Sequence, residues 1–127
     1  MINRAYALNS YTQQKVAGTT NPVDLVIMLY DGAIEFLDKA ATGIKMNNLQ
    51  IKLKYIAKAL AIVQELDGAL NFEAGGEVAV NLRNLYSFIM VELVKANLEY
   101  DADKLIRISD MLKNLRGGWV QIRNTGQ

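Results

Sequence analysis

The sequence predicts an all-α fold, an antiparallel up-down four-helix bundle preceded by a short N-terminal arm. Three observations carry this. Apolar residues recur at +3 and +4 over four stretches of about 20 to 25 residues. No stretch sustains a two-residue alternation, and the interruptions are short enough to favour antiparallel neighbours. The chain then divides into an arm over 1–21, a bundle over 22–122 and a tail over 123–127, together one domain.

The arm carries Leu8, Tyr11 and Val16 among Asn, Ser, Thr and Gln, with no sustained period. The first helix should begin at Pro22, the only proline, with Asn21 as N-cap and Asp24 in the first turn. Val26, Leu29, Ala33, Phe36 and Ala40 form one stripe; Ile27, Tyr30, Ile34, Leu37, Ala41 and Ile44 form a second beside it, so the apolar face is broad. Asp31, Glu35 and Asp38 also fall at helical spacing, but an acidic row of this kind is the ordinary mark of a solvated face.

The period breaks over 46–48. A second helix follows on Leu53, Ile56, Leu60 and Val63, flanked by Ala59, Ile62, Leu66 and Leu70, with Lys52, Lys54 and Lys58 off that seam. The stretch 71–76 ends in Gly75-Gly76, a turn signal without the further glycines and the Lys-Ser/Thr of a phosphate loop. The third helix reads from about Glu77 through Val78, Leu82, Leu85, Ile89, Leu93 and Ala96, with Tyr86 and Met90 beside that stripe.

Asp101 and Asp103 interrupt the run. A calcium loop would need Gly where Ile106 stands and Glu where Leu112 stands, so the two carboxylates fit the start of a helix instead. That fourth helix carries Leu105, Ile108, Leu112, Leu115, Trp119 and Ile122, with Arg116 and Arg123 complementing the dipole near its end.

Inventory excludes much chemistry. The 127 residues include no cysteine and no histidine, which removes disulfides, thiolate or imidazole metal ligands, a cysteine nucleophile and a histidine base. Helix bundles that hold di-iron or relay phosphate through histidine are excluded with them, and no cofactor is expected. Ser10, Ser87 and Ser109 stand in no nucleophile motif, although serine or carboxylate chemistry survives the inventory.

A net charge of +1 gives no general attraction for nucleic acid, and among Lys45, Lys52, Lys54 and Lys58 only Tyr55 offers a stacking ring, so nucleic-acid binding is not expected. The N-terminus lacks the apolar core of a signal peptide and the longest apolar run, Leu25 to Tyr30, is too short to span a bilayer. Cytoplasmic location without membrane insertion is expected.

With 51% hydrophobic residues, a doubled stripe on the first helix, and Met28, Met90 and Met111 as adaptable contacts, the chain has more apolar face than a minimal seam needs. A generous core accounts for this, and so do grooves that accept a partner's amphipathic helix. Composition does not choose between them.

Particular residues do. Tyr11-Thr-Gln-Gln-Lys-Val16, Thr20-Asn-Pro22, Leu25 and Met28-Leu29-Tyr30-Asp31-Gly32-Ala33 resemble the opening of the FliS family of flagellar export chaperones. Ala59 to Leu66, Gly75-Gly76-Glu77, Asn81-Leu82, Leu85-Tyr86, Leu93 and Ala96-Asn97 resemble its middle; Leu112, Leu115-Arg116 and Trp119 resemble its end. One departure is visible: Leu8 stands where many members carry the first of two tyrosines, and Tyr6 is offset.

The resemblance implies a four-helix bundle that binds the disordered C-terminal region of flagellin, prevents premature polymerisation and helps deliver it to the type III export gate. An export-gate component or a co-chaperone is the further partner implied. Leu8, Tyr11 and Val16 then belong to an arm that caps the bundle and influences binding, and Leu25, Met28 and Tyr30 to the family's most characteristic helix. The competing readings are an adaptor or regulatory bundle for another protein's amphipathic segment, and an enzyme using carboxylate or serine chemistry.

Tyr11 has no helix of its own to bury it, and aromatic residues of that kind anchor interfaces. Tyr11→Ala is expected to weaken partner binding by about 1–2 kcal/mol while urea unfolding of the bundle stays unchanged.

Overall fold

A computed structural model describes residues 21–126. Four helices follow one another in chain order: α1 (Pro22–Lys45), α2 (Leu49–Gly68), α3 (Phe72–Glu99) and α4 (Ala102–Thr125). Among the described residues there is no strand, and no helix is long and apolar enough to cross a membrane. Helix α4 continues past residue 122, so most of the expected tail is helical.

Each helix starts at an Asn or Asp whose side chain takes up free backbone N–H groups of the first turn. Asn21 Oδ1 accepts from Val23 N at 2.9 Å, Asn48 Oδ1 from Ile51 N at 3.1 Å, Asn71 Oδ1 from Ala74 N at 3.0 Å, and Asp101 Oδ1 from Lys104 N at 2.9 Å. The expected start at Asn21-Pro22 holds, and so does the role of Asp101. Helix α3 starts earlier than its period suggests, at Phe72. One turn forms on the Asn71 cap, then Gly76 adopts φ 51°, a left-handed conformation that lacks a Cβ penalty only for glycine, and the axis breaks there.

The helices pack as a ring. Helix α1 lies against α2 and α4 along its length, α3 rests on α2, and the α3–α4 contact is the lightest. Tyr30, Leu37, Ile62, Tyr86, Ile89, Leu93, Leu105 and Leu112 are fully buried between them. A Cβ at Gly43 would stand 2.8 Å from Ile51 Cγ2 and 2.9 Å from the Lys52 backbone nitrogen, so glycine lets the ends of α1 and α2 approach closely. Arg116 of α4 pairs with Asp31 of α1, and Arg123 with Asp24 at 3.3 Å, tying the same two helices at their solvent edge.

Several expected seam positions move. Leu53 is half-exposed, whereas Lys52, expected off the seam, is 3% exposed. The buried face of α2 runs Lys52, Ile56, Ala59, Val63 and Leu66, spaced +4, +3, +4, +3. The helix is therefore turned by one position from the reading that avoided a lysine. Lys52 Nζ donates to the Asn97 carbonyl at 3.0 Å and sits 3.6 Å from the centroid of the Tyr100 ring. Val78 and Ile122 are also exposed, Val78 two residues past the break at Gly76 and Ile122 in the last turn of α4.

The Lys52 contacts join α2 to the α3–α4 turn, where Tyr100 itself has φ 53°. A charge-assisted hydrogen bond and a desolvated cation–π contact predict that Lys52→Ala costs about 2 kcal/mol in urea unfolding. Exposed Lys54→Ala should stay within about 0.5 kcal/mol of the parent.

Candidate partner-binding surface

Helix α3 is apolar on two opposite faces. Tyr86, Ile89, Leu93 and Ala96 point into the core, while Val80, Phe88, Val91, Val94 and Leu98 face outward. Val91 is 53% exposed and Leu98 73%, in a set whose spacing keeps all five within one stripe. From Val80 to Leu98 the row runs about 27 Å, at 1.5 Å per residue. Its rim is ionic. Arg83 pairs with Asp67 of α2 at 3.2 Å, and Lys104 of α4 reaches Glu92 at 3.2 Å and Glu99 at 3.6 Å. The hydrogen bond from Lys104 holds the Glu92 carboxyl below its ordinary range. An apolar strip edged by charge is the usual anatomy of a protein-binding surface.

Behind this row the core contains a polar pair. Tyr30 of α1 and Tyr86 of α3 bring their hydroxyls to 2.6 Å in a fully buried setting, and either can donate. The bond spans the bundle between two helices whose backbones do not approach each other. Burial raises both phenols above their ordinary value; at Tyr30, hydrogen bonding with Tyr86 and Trp119 offsets part of this. Trp119 packs on the edge of the core, half-buried, and lines a cavity of about 310 Å³ with Leu70, Val78 and Leu82 beside the α3 break.

The site residues expected from sequence are scattered. Leu8, Tyr11 and Val16 lie outside the described residues. Leu25 and Met28 are partly exposed on α1, away from the α3 row. Tyr30 has no exposed surface; its hydroxyl is engaged with Tyr86, so in this arrangement it acts within the core. The α3 row escaped the sequence reading, which followed one stripe on that helix. A signal was present, since apolar residues between Val78 and Leu98 encircle the helix instead of forming one face.

These features define a class, an all-α four-helix bundle with an open apolar face on its third helix. The chain belongs to the FliS family, whose model, described as "Flagellar protein FliS", matches residues 2–126. It is similar to the flagellar secretion chaperone FliS of Campylobacter jejuni, with 33% identity over 93% of this chain and 91% of that one. It is similar also to those of Salmonella typhimurium, with 32% identity over 93% and 90% of the two chains, and Bacillus subtilis, with 31% over 89% and 85%.

The buried tyrosine pair has a measurable consequence. The fold favours the neutral phenols, so their contribution to stability is complete below the ordinary tyrosine pKa near 10 and is lost as pH climbs above it. In an ultraviolet titration, Tyr30 and Tyr86 should ionise above the ordinary tyrosine range, together with unfolding. Tyr86→Phe should remove one late-ionising group and cost about 1–2 kcal/mol by deleting the Tyr30–Tyr86 hydrogen bond.

Proposed function

We propose that this chain is a cytoplasmic export chaperone that binds the C-terminal segment of flagellin, prevents its premature polymerisation and releases it at the flagellar export gate. The observation that carries the reading is the outward apolar row of α3. Its length suits about five turns of a docked amphipathic helix with anchors at i, i+3, i+4 and i+7. Membership of a family whose relatives bear the name flagellar secretion chaperone supplies the partner class.

A partner segment that is disordered when free loses conformational entropy on docking, and burial of a long apolar strip is the term large enough to offset it. Binding alone then performs the function. Covering the apolar stripes through which flagellin subunits associate blocks assembly stoichiometrically, with no bond made or broken and no catalytic group required. Leu25 and Met28 on α1, together with Leu8, Tyr11 and Val16, extend the contact beyond α3.

The test is calorimetric titration with a flagellin C-terminal fragment, alongside circular dichroism and a polymerisation assay. Expected are a negative heat-capacity change, helicity above the sum of the free partners and inhibition that saturates at equimolar chaperone. The double variant Val91→Asp, Val94→Asp should weaken binding about tenfold or more while the free bundle keeps its unfolding transition. Unchanged affinity in that variant, or inhibition far below stoichiometric amounts, would refute the reading.

A further inference from the structure

Helix α4 carries two adjacent glycines, Gly117 and Gly118, that neither space nor backbone conformation requires. A Cβ at either position would meet no neighbouring group within 4 Å, and neither residue has a left-handed φ. Glycine loses more backbone freedom on entering a helix than alanine does, so each of the two weakens the helix around it.

The rest of α4 divides at the same point. Its buried residues, Leu105, Ile108, Ser109 and Leu112, all precede the glycines. Beyond them Trp119, Val120 and Arg123 are half-buried, and the other residues to Thr125 are exposed. Two ion pairs to α1 bracket this last part of the helix. Arg116, next to Gly117, holds Asp31, and Arg123 holds Asp24 at 3.3 Å. The second pair is partly open to water, where such a contact is weak and screened by salt. Trp119, the first residue past the glycines, is one wall of the 310 Å³ cavity it shares with Leu70, Val78 and Leu82.

We propose that residues 119–125 form a strap that opens from α1 as a unit, pivoting at Gly117 and Gly118, while 102–116 stays packed. The glycines weaken the joint, few buried contacts oppose opening, and the Arg116–Asp31 pair fixes the near side of the pivot. The Arg123–Asp24 pair is the latch at the far side. Opening withdraws Trp119 from the cavity and leaves Leu70 and Leu82 without that wall, so access to this end of the bundle is set by the last two turns of α4. The strap shares no residue with the α3 row.

The test is amide hydrogen exchange of the whole chain, followed by NMR from 0 to about 1 M urea. Gln121 to Thr125 should share one protection factor, about a hundredfold or more below that of Ile108 to Leu112. Their exchange should be nearly flat in urea, because a local opening exposes little surface, whereas exchange of Ile108 to Leu112 should rise steeply. The indole N–H of Trp119, the only tryptophan, should report the same opening. Fraying from the chain end would give a different pattern, with protection declining residue by residue toward Thr125.

Gly117→Ala with Gly118→Ala should raise the protection of Gln121 to Thr125 about twentyfold, about fivefold for each glycine replaced. Arg123→Gln should lower it about threefold by removing the latch. A graded decline toward Thr125, protection and urea dependence equal to those of Ile108 to Leu112, or indifference to the double alanine substitution would overturn the proposal.

Discussion

Because α1 is apolar along two adjacent stripes, it must be covered from two directions, and α2 and α4 cover it. The remaining arrangement follows from that demand. With both neighbours committed to α1, α3 closes the ring by resting on α2 and touching α4 lightly. One apolar face of α3 completes the core, and its opposite face meets no other helix among the described residues. The open row from Val80 to Leu98 is thus the counterpart of the broad buried face of α1. A core satisfied by three and a half helices leaves half of the fourth uncovered by any helix among the described residues.

Apolar burial is nondirectional, so it does not by itself specify which helices meet or in what register. Two polar contacts add that specification. The Tyr30–Tyr86 hydroxyl pair joins α1 to α3 across the middle of the bundle, and Lys52 joins α2 to Asn97 and Tyr100 at one end. Sliding α3 by one turn along the bundle would separate both sets of partners and leave an ammonium and two phenols buried without them. The helix that offers its outer face is the same helix these contacts hold in place. A surface pinned in this way presents its anchors in fixed positions, which lowers the ordering required when a partner docks.

The outer surface combines apolar rows with charges at their margins, on two different parts of the ring. On α3 the margin is internally paired, through Arg83–Asp67 and Lys104 with Glu92 and Glu99, so the exposed row itself is the dominant feature. The groove between α1 and α2 has a shorter apolar floor, made by Ile34, Ile51 and Tyr55. The chain belongs to the FliS family, and its relatives carry the name flagellar secretion chaperone.

The sequence by itself determined what is local. A cap such as Asn21 or Asp101 acts within three residues, the breaks at 46–48 and at Gly76 follow from backbone preference, and a +3, +4 period marks a helix wherever that helix ends up. The lack of histidine and cysteine removed whole classes of chemistry in the same direct way. Tertiary structure decided which of two apolar faces is covered. On α3 the row at Val80, Phe88 and Val91 and the row at Tyr86, Ile89 and Leu93 are both plausible cores in one dimension, and only the positions of α2 and α4 distinguish them. Lys52 was illegible for the same reason: what allows an ammonium into the seam is a carbonyl 45 residues away and a ring beside it, contacts that exist only once the bundle closes. Tyr30, too, became a core residue when Tyr86 met it from the far side of the ring, because a buried hydroxyl needs a partner that no helical period can reveal.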